Sequence, residues 1–172
     1  MHNKNIWSPW RYEYLRNLKD EEVKFQDVTL PNDSNFIANY WGDEEHDQQN
    51  LVVFRNNAGI IFLNRYPYAN GHLLVALGNP QPTLSAYEAN ERISLWELID
   101  IATQLMHEKL QPQGLNIGIN EGAASGAGLP QHLHAHVVPR WNGDTNFMAT
   151  VGEVRVIPSS LEEMWGLYSA NE

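Results

Sequence analysis

The sequence predicts an α+β domain built on a mostly antiparallel five-stranded sheet, with one main helix and a short terminal helix. Three observations carry this. Short β-branched and apolar runs recur from Leu51 onward, joined by turn residues. A single stretch, Ser85 to Leu110, holds a helical period. No strand–helix–strand rhythm of a parallel sheet is present.

The elements follow in order. Leu51 to Arg55 and Gly59 to Leu63 flank Asn56-Asn57 and predict a hairpin. Tyr66 to Gly71 is a loop by its Pro, Asn and Gly content, and His72 to Leu77 is a third strand closed by Gly78, Pro80 and Pro82. Ser85 and Glu88 stand at capping-box spacing and place a helix start near Ser85. Ile93, Trp96, Ile99, Thr103, Met106 and Leu110 then form one face, expected to pack on a sheet, before Pro112 and Gly114 end the helix. Leu115 to Asn120 alternates as a half-buried strand. Gly122 to Gly128 is a small-residue loop, and Gln131 to Val138 is the last strand, stopped by Pro139. Ser159 to Tyr168 predicts the terminal helix.

A length of 172 residues predicts one domain. Within it, residues 1–50 form an N-terminal arm and an acidic excursion, 51–140 the core, and 141–172 a C-terminal extension. The arm carries Trp7, Trp10, Tyr12, Tyr14, Leu15 and Leu18, rings expected to pack on the body or join a dimer. Asp20 to Asn50 is polar, with Asp43, Glu44, Glu45 and Asp47 clustered, and reads as an exposed excursion.

Composition excludes several classes. A net charge of −10 argues against general affinity for nucleic acid or anionic membranes. The absence of cysteine removes disulfides, thiolate zinc sites and cysteine nucleophiles. No apolar run approaches the ~20 residues of a membrane span, and Met1 to Trp10 holds no signal-peptide core, so a cytoplasmic protein is expected.

The segment with the most chemistry is His132-Leu133-His134-Ala135-His136-Val137-Val138. Side chains alternate along a strand, so the three histidines are expected to share one face, ~6.5 Å apart from one to the next. Chance exposure is one reading of such a row. A metal site is another, although the carboxylate that usually completes a strand-histidine site is replaced here by Val137, Val138, Pro139 and Arg140. Phosphate chemistry is a third: a neutral imidazole attacks phosphorus while its neighbours hold phosphoryl oxygens, and amides of the preceding Gly-rich loop approach the anion. A fourth keeps the pocket without chemistry, as a nucleotide-binding or signalling module.

This segment resembles the signature of the histidine triad (HIT) family. Asn64-Arg65-Tyr66-Pro67-Tyr68-Ala69-Asn70-Gly71-His72-Leu73-Leu74-Val75 is similar to the family's strand–loop–strand segment, and the resemblance runs from about Leu51 to Arg140. The flanks, Ile6 to Arg11 and Val138 to Met148, look like the branch containing bacterial diadenosine tetraphosphate phosphorylases. The resemblance implies a HIT-like fold and a homodimer whose two sheets join, with a nucleotide base held between strands and helix. It implies a nucleotidyl intermediate on His134, with His136 at the scissile phosphate and His132 behind His134. It makes Asn64 the ribose contact, His72 a supporting histidine, and Asn120 a phosphate or ribose contact. Ser125, Gly126 and Gly128 belong to the loop expected to bind phosphate. The reaction implied is cleavage of a dinucleoside polyphosphate or related nucleotide, by water, by phosphate, or at a phosphoramidate bond. No cofactor is needed for the covalent step, although a divalent cation can accompany the substrate polyphosphate.

Two departures from the family pattern stand out. Where many bacterial members carry a Cys-x-x-Cys zinc knuckle, this chain has Asn35-Phe36-Ile37-Ala38, so no structural zinc is expected there. Gly128-Leu129-Pro130-Gln131 lacks the Ser or Thr that touches phosphate in several relatives; Ser125 or backbone amides are expected to take its place.

Overall fold

A tight turn starts the sheet. In the computed structural model, which describes residues 35–144 and 157–170, Asn56 Oδ1 accepts the backbone N–H groups of Ala58 (2.9 Å) and Gly59 (3.1 Å). This side-chain mimic of a turn joins β1 (Val52–Arg55) to β2 (Gly59–Leu63). β3 (Leu73–Leu77), β4 (Gly114–Ile119) and β5 (His134–Arg140) complete an antiparallel sheet of order β1-β2-β3-β5-β4. The helices are α1 (Phe36–Gly42), α2 (Asp47–Asn50), α3 (Ala89–Leu110) and α4 (Leu161–Ser169). These residues all fall within one compact unit, Ser34–Glu172. The aromatic residues Trp7 to Leu18 lie outside the described residues.

Register assigns the two faces. Leu73 pairs with Val137 and Val75 with Ala135, and these join Ile61, Leu63 and Leu77 against α3 and α4. Leu74 pairs with His136 and Ala76 with His134, which puts both histidines on the opposite face with Ile60 and Phe62. Ile37 of α1, fully buried, packs on that second face. The sheet is therefore an apolar wall to the long helix and a partly polar floor on the other side.

Several expectations shift. The main helix starts four residues later than Ser85: Thr83 caps a 3₁₀ turn over Leu84–Ala86, and the capping box proper is Glu88 with Glu91. Its buried face is Leu95, Leu98, Ile99, Ala102 and Met106, while Ile93 and Trp96 are more than half exposed. A 3.6-residue period over a helix with apolar residues on two sides does not fix the phase of the stripe. Residues 36–50 of the acidic stretch fold into short helices, fastened by an Arg55–Asp47 ion pair and by Arg55 donating to the carbonyls of Tyr40 (3.0 Å) and Trp41 (2.9 Å). β5 runs through Pro139 to Arg140. Pairing with β3 ends at Val137, so Pro139 faces no donor-seeking partner on that side, and its missing N–H costs no ladder bond.

Gly59 is required by close approach. A Cβ there would run into the Ala76 carbonyl oxygen, a backbone atom held in the β2–β3 ladder. Gly114→Ala meets nothing within 4 Å and serves as its control. Gly59→Ala should destabilise the fold by about 1–3 kcal/mol in denaturant unfolding, with Gly114→Ala much closer to wild type. Equal midpoints for the two variants would contradict this packing.

Candidate active site

The second sheet face builds the site from its backbone outward. His134 and His136 are alternate residues of β5, and their ring centroids lie 5.3 Å apart. His132 precedes the strand, at a bend where its N–H donates to the Leu129 carbonyl (3.2 Å) and Leu133 N–H donates to Gln81 (2.8 Å). The expected row of three on an open face is thus modified. His132 is fully buried, His134 is 6% exposed, and only His136 is partly open. α1 and the segment around Leu129 cover what an isolated strand would have left bare.

Each ring has a defined partner. Both His132 nitrogens face oxygens, Nε2 the Leu77 carbonyl (2.8 Å) and Nδ1 the Asn35 Oδ1 (2.9 Å), so a neutral ring donates to one of the two at a time. His134 Nδ1 donates to the carbonyl of His132 (2.9 Å). A carbonyl can only accept, so the His134 proton is fixed on Nδ1 and the Nε2 lone pair is left for chemistry. His136 Nδ1 lies 3.0 Å from His72 Nε2.

His72 sets the tautomer of His136. The backbone N–H of Tyr68 donates to His72 Nδ1 (3.1 Å), and the Asn64 amide lies 3.3 Å from the same nitrogen. With Nδ1 accepting, the His72 proton sits on Nε2 and is donated to His136 Nδ1. His136 therefore carries its own proton on Nε2, an N–H that is buried and has no partner among the described residues. A backbone amide three steps away thus presents a hydrogen-bond donor beside the ring whose Nε2 lone pair is free.

Burial keeps the row neutral. It lowers the pKa of His132 and His134, and it lowers that of His136 to about 4, with the charge of His134 a smaller contribution. A three-histidine metal site would need convergent lone pairs. Here His132 spends both nitrogens on Leu77 and Asn35, and His134 Nδ1 is bound to a carbonyl. Among the described residues no group of three or more His, Asp or Glu converges as metal ligands. The Asn35–Ala38 stretch offers no thiolate and does not fit a zinc knuckle; Asn35 instead caps α1 by accepting the Ala38 N–H (3.1 Å).

The other expected residues fall around this centre. Asn64 is half-buried; its Oδ1 accepts the Tyr66 N–H (2.9 Å). β4 ends where Ile119 pairs with Ala135, so Asn120 follows at the level of His134. Ser125 closes a 3₁₀ turn by donating its hydroxyl to the Gly122 carbonyl (2.7 Å), and Gly126 takes φ +90° behind it. Among the described residues, no hydrogen bond joins Asn120, Ser125, Gly126 or Gly128 to the histidines. Sequence reasoning missed Asn35 and Tyr68. Asn35 had a readable signal, an Asn at the N-cap of a short apolar helix, whereas the Tyr68 N–H had none.

This fold and this histidine strand define a class. The HIT domain family matches residues 45–143, and the chain belongs to that family. It is 34% identical over 160 residues to the "AP-4-A phosphorylase" of Mycobacterium tuberculosis, covering 92% of this chain and 78% of that protein. It is 29% identical to the "Bis(5'-nucleosyl)-tetraphosphatase [asymmetrical]" of Schizosaccharomyces pombe over 54% of this chain and 50% of that one. Among solved structures, a Zn-bound histidine triad family protein from Mycobacterium smegmatis matches with a TM-score of 0.58 and 26% identity, over 69% of this chain and 81% of that one.

The depressed imidazole pKa of His136 links the site to stability. A folded-state pKa of about 4 against the usual 6.5 means the unfolded chain binds protons that the folded chain refuses between those values. Stability should therefore fall as pH drops from 6.5 to 4, and His136→Asn should flatten that slope. Equal slopes for the variant and the wild type in pH-dependent denaturation would contradict a neutral buried His136.

Proposed function

We propose that this chain cleaves dinucleoside polyphosphates, such as diadenosine tetraphosphate, through a nucleotidyl intermediate on His134, with inorganic phosphate as the acceptor. One observation carries the reading: the His134 Nε2 lone pair, freed because Nδ1–H is tied to the His132 carbonyl, stands beside the Nε2–H of His136, which has no partner among the described residues.

In the first step Nε2 of His134 attacks the phosphorus nearest one nucleoside. A P–N bond forms, the P–O bond to the bridging oxygen breaks, and a nucleoside polyphosphate leaves. The positive charge that develops on the His134 ring strengthens its Nδ1–H bond to the His132 carbonyl. His136 Nε2–H donates to a phosphoryl oxygen where negative charge accumulates. Phosphate then attacks from the vacated side, the P–N bond breaks, and a nucleoside diphosphate is released with His134 restored. No cofactor enters either step; a divalent cation would arrive bound to the substrate polyphosphate.

The surroundings suit a nucleotide. Phe36, Tyr40 and Phe62 form an edge-to-face aromatic cluster on the same face, with centroids 5.5 to 6.4 Å apart, an apolar wall for a base. Asn64 Oδ1 has a second lone pair beyond the one used by Tyr66 N–H, and we assign it the ribose hydroxyl. Asn120, Ser125, Gly126 and Gly128 supply polar groups and amides for the remaining phosphates. The edge strand β4, with Ile117 45% exposed, is where a second copy would extend the sheet into a homodimer. A cytoplasmic enzyme working on soluble nucleotides fits this reading, and among the described residues no helix is long and apolar enough to cross a membrane.

The name of the Mycobacterium tuberculosis relative favours phosphate over water as acceptor. Incubation with diadenosine tetraphosphate should give ADP and ATP, dependent on added phosphate. His134→Ala should lower kcat by at least about 10³-fold while retaining nucleotide binding. AMP and ATP formed without phosphate would replace phosphorolysis with hydrolysis. Binding without turnover of any dinucleoside polyphosphate would leave a nucleotide-binding module.

A further inference from the structure

Tyr68 sits in the β2–β3 connection, 46% exposed, yet its ring is not turned away from the protein. It lies parallel to the His136 imidazole, with centroids 5.6 Å apart and 11° between the planes. The same ring leans on His72, at 4.7 Å and 43°. His136 thus has a ring on each of three sides: Tyr68 stacked, His134 at 5.3 Å and His72 at 5.2 Å.

We propose that Tyr68 is a positioning residue for His136, its ring holding the imidazole in the plane from which Nε2–H meets the phosphate. The proposal rests on the reading of His134 as nucleophile and His136 as donor. Its physical ground is a shortage of constraints. Only one described hydrogen bond reaches the His136 ring, from His72 to Nδ1. One in-plane bond fixes the direction of the Nδ1 lone pair but leaves the ring free to tilt about that line. A ring lying nearly parallel to the imidazole, offset at 5.6 Å between centroids, opposes the tilt by contact away from that line, which a hydrogen bond at the rim cannot do.

The backbone and side chain of Tyr68 act together. Its N–H fixes the proton of His72, and through it that of His136, while its ring fixes the plane of His136. One loop residue thereby sets both the tautomer and the orientation of the donor. Substitution of the side chain tests only the second role, because the N–H remains.

The test uses three variants of the full chain, Tyr68→Phe, Tyr68→Leu and Tyr68→Ala, with thermal melts to confirm folding. Phe keeps the flat ring, Leu keeps bulk without a flat face, and Ala keeps neither. With diadenosine tetraphosphate and phosphate, Phe should stay within about twofold of wild type in kcat. Leu and Ala should lose about tenfold or more in kcat with little change in KM, as expected when a reacting group is misaligned. Imidazole nitrogen NMR of the substrate-free protein gives a readout independent of turnover: the His136 signals should broaden or shift in Ala and Leu and hold in Phe. Wild-type kcat and unchanged His136 signals in Tyr68→Ala would overturn the proposal. So would a Phe variant as impaired as Ala, or a Leu variant as active as Phe. Absence of turnover in every variant and the wild type would instead overturn the enzymatic reading, and the nitrogen spectra would still decide the positioning role.

Discussion

The hydrogen bond from Tyr68 N–H to His72 Nδ1 is the constraint on which the site depends. The donor is a main-chain N–H, which can only donate, so the neutral His72 ring must accept at Nδ1. Once Nδ1 of His72 is an acceptor, each later proton has one place to go: Nε2 of His72, then Nε2 of His136. On the other branch the His132 carbonyl takes Nδ1–H of His134. Two neighbouring strand histidines of the same chemistry are thereby made opposite in role, one offering a lone pair and the other a proton. A neutral imidazole can do either, and the backbone makes the choice.

That constraint has to be held in place, and the terminal helix α4 does this. The Tyr168 hydroxyl donates to the Gly71 carbonyl (2.8 Å), directly before His72. Gly71 has φ +80°, a conformation that strains an L side chain, and a Cβ there would also press on the end of Leu110, so the turn into β3 favours glycine. Trp165 Nε1 donates to the Val52 carbonyl (2.8 Å), anchoring the same helix to β1. A helix some ninety residues away in sequence therefore fixes the loop that sets the proton positions. The sheet contributes the other half: pairing of Leu74 with His136 and Ala76 with His134 puts both rings on the face away from α3.

Much of this was legible in the sequence. Period-two alternation placed His134 and His136 on one face, and the hairpin around Asn56-Asn57 and the first four strands appear within a residue of their expected bounds, whereas β5 starts later than Gln131 and runs past Pro139. What could not be read were features set by tertiary contact. His132 bends away before the strand begins because its ring is drawn to Leu77 and Asn35, residues distant in sequence. The buried face of α3 is rotated from the expected stripe, since Ile93 and Trp96 lie outside the contact with the sheet. The partner of His72 is a backbone group, and no residue type announces that a particular N–H will be aimed at an imidazole. The acidic stretch concealed α1 because Ile37 is its one fully buried side chain.

The proton positions themselves are the claim most open to direct measurement. Long-range nitrogen–proton correlation spectra of the substrate-free protein near pH 7 distinguish the two neutral tautomers of each imidazole. The structure predicts the Nδ1–H form for His134 and the Nε2–H form for both His72 and His136. An Nδ1–H form at His136, or an Nε2–H form at His134, would contradict the account, because Nε2 of His134 would then hold no free lone pair or Nε2 of His136 no proton to donate.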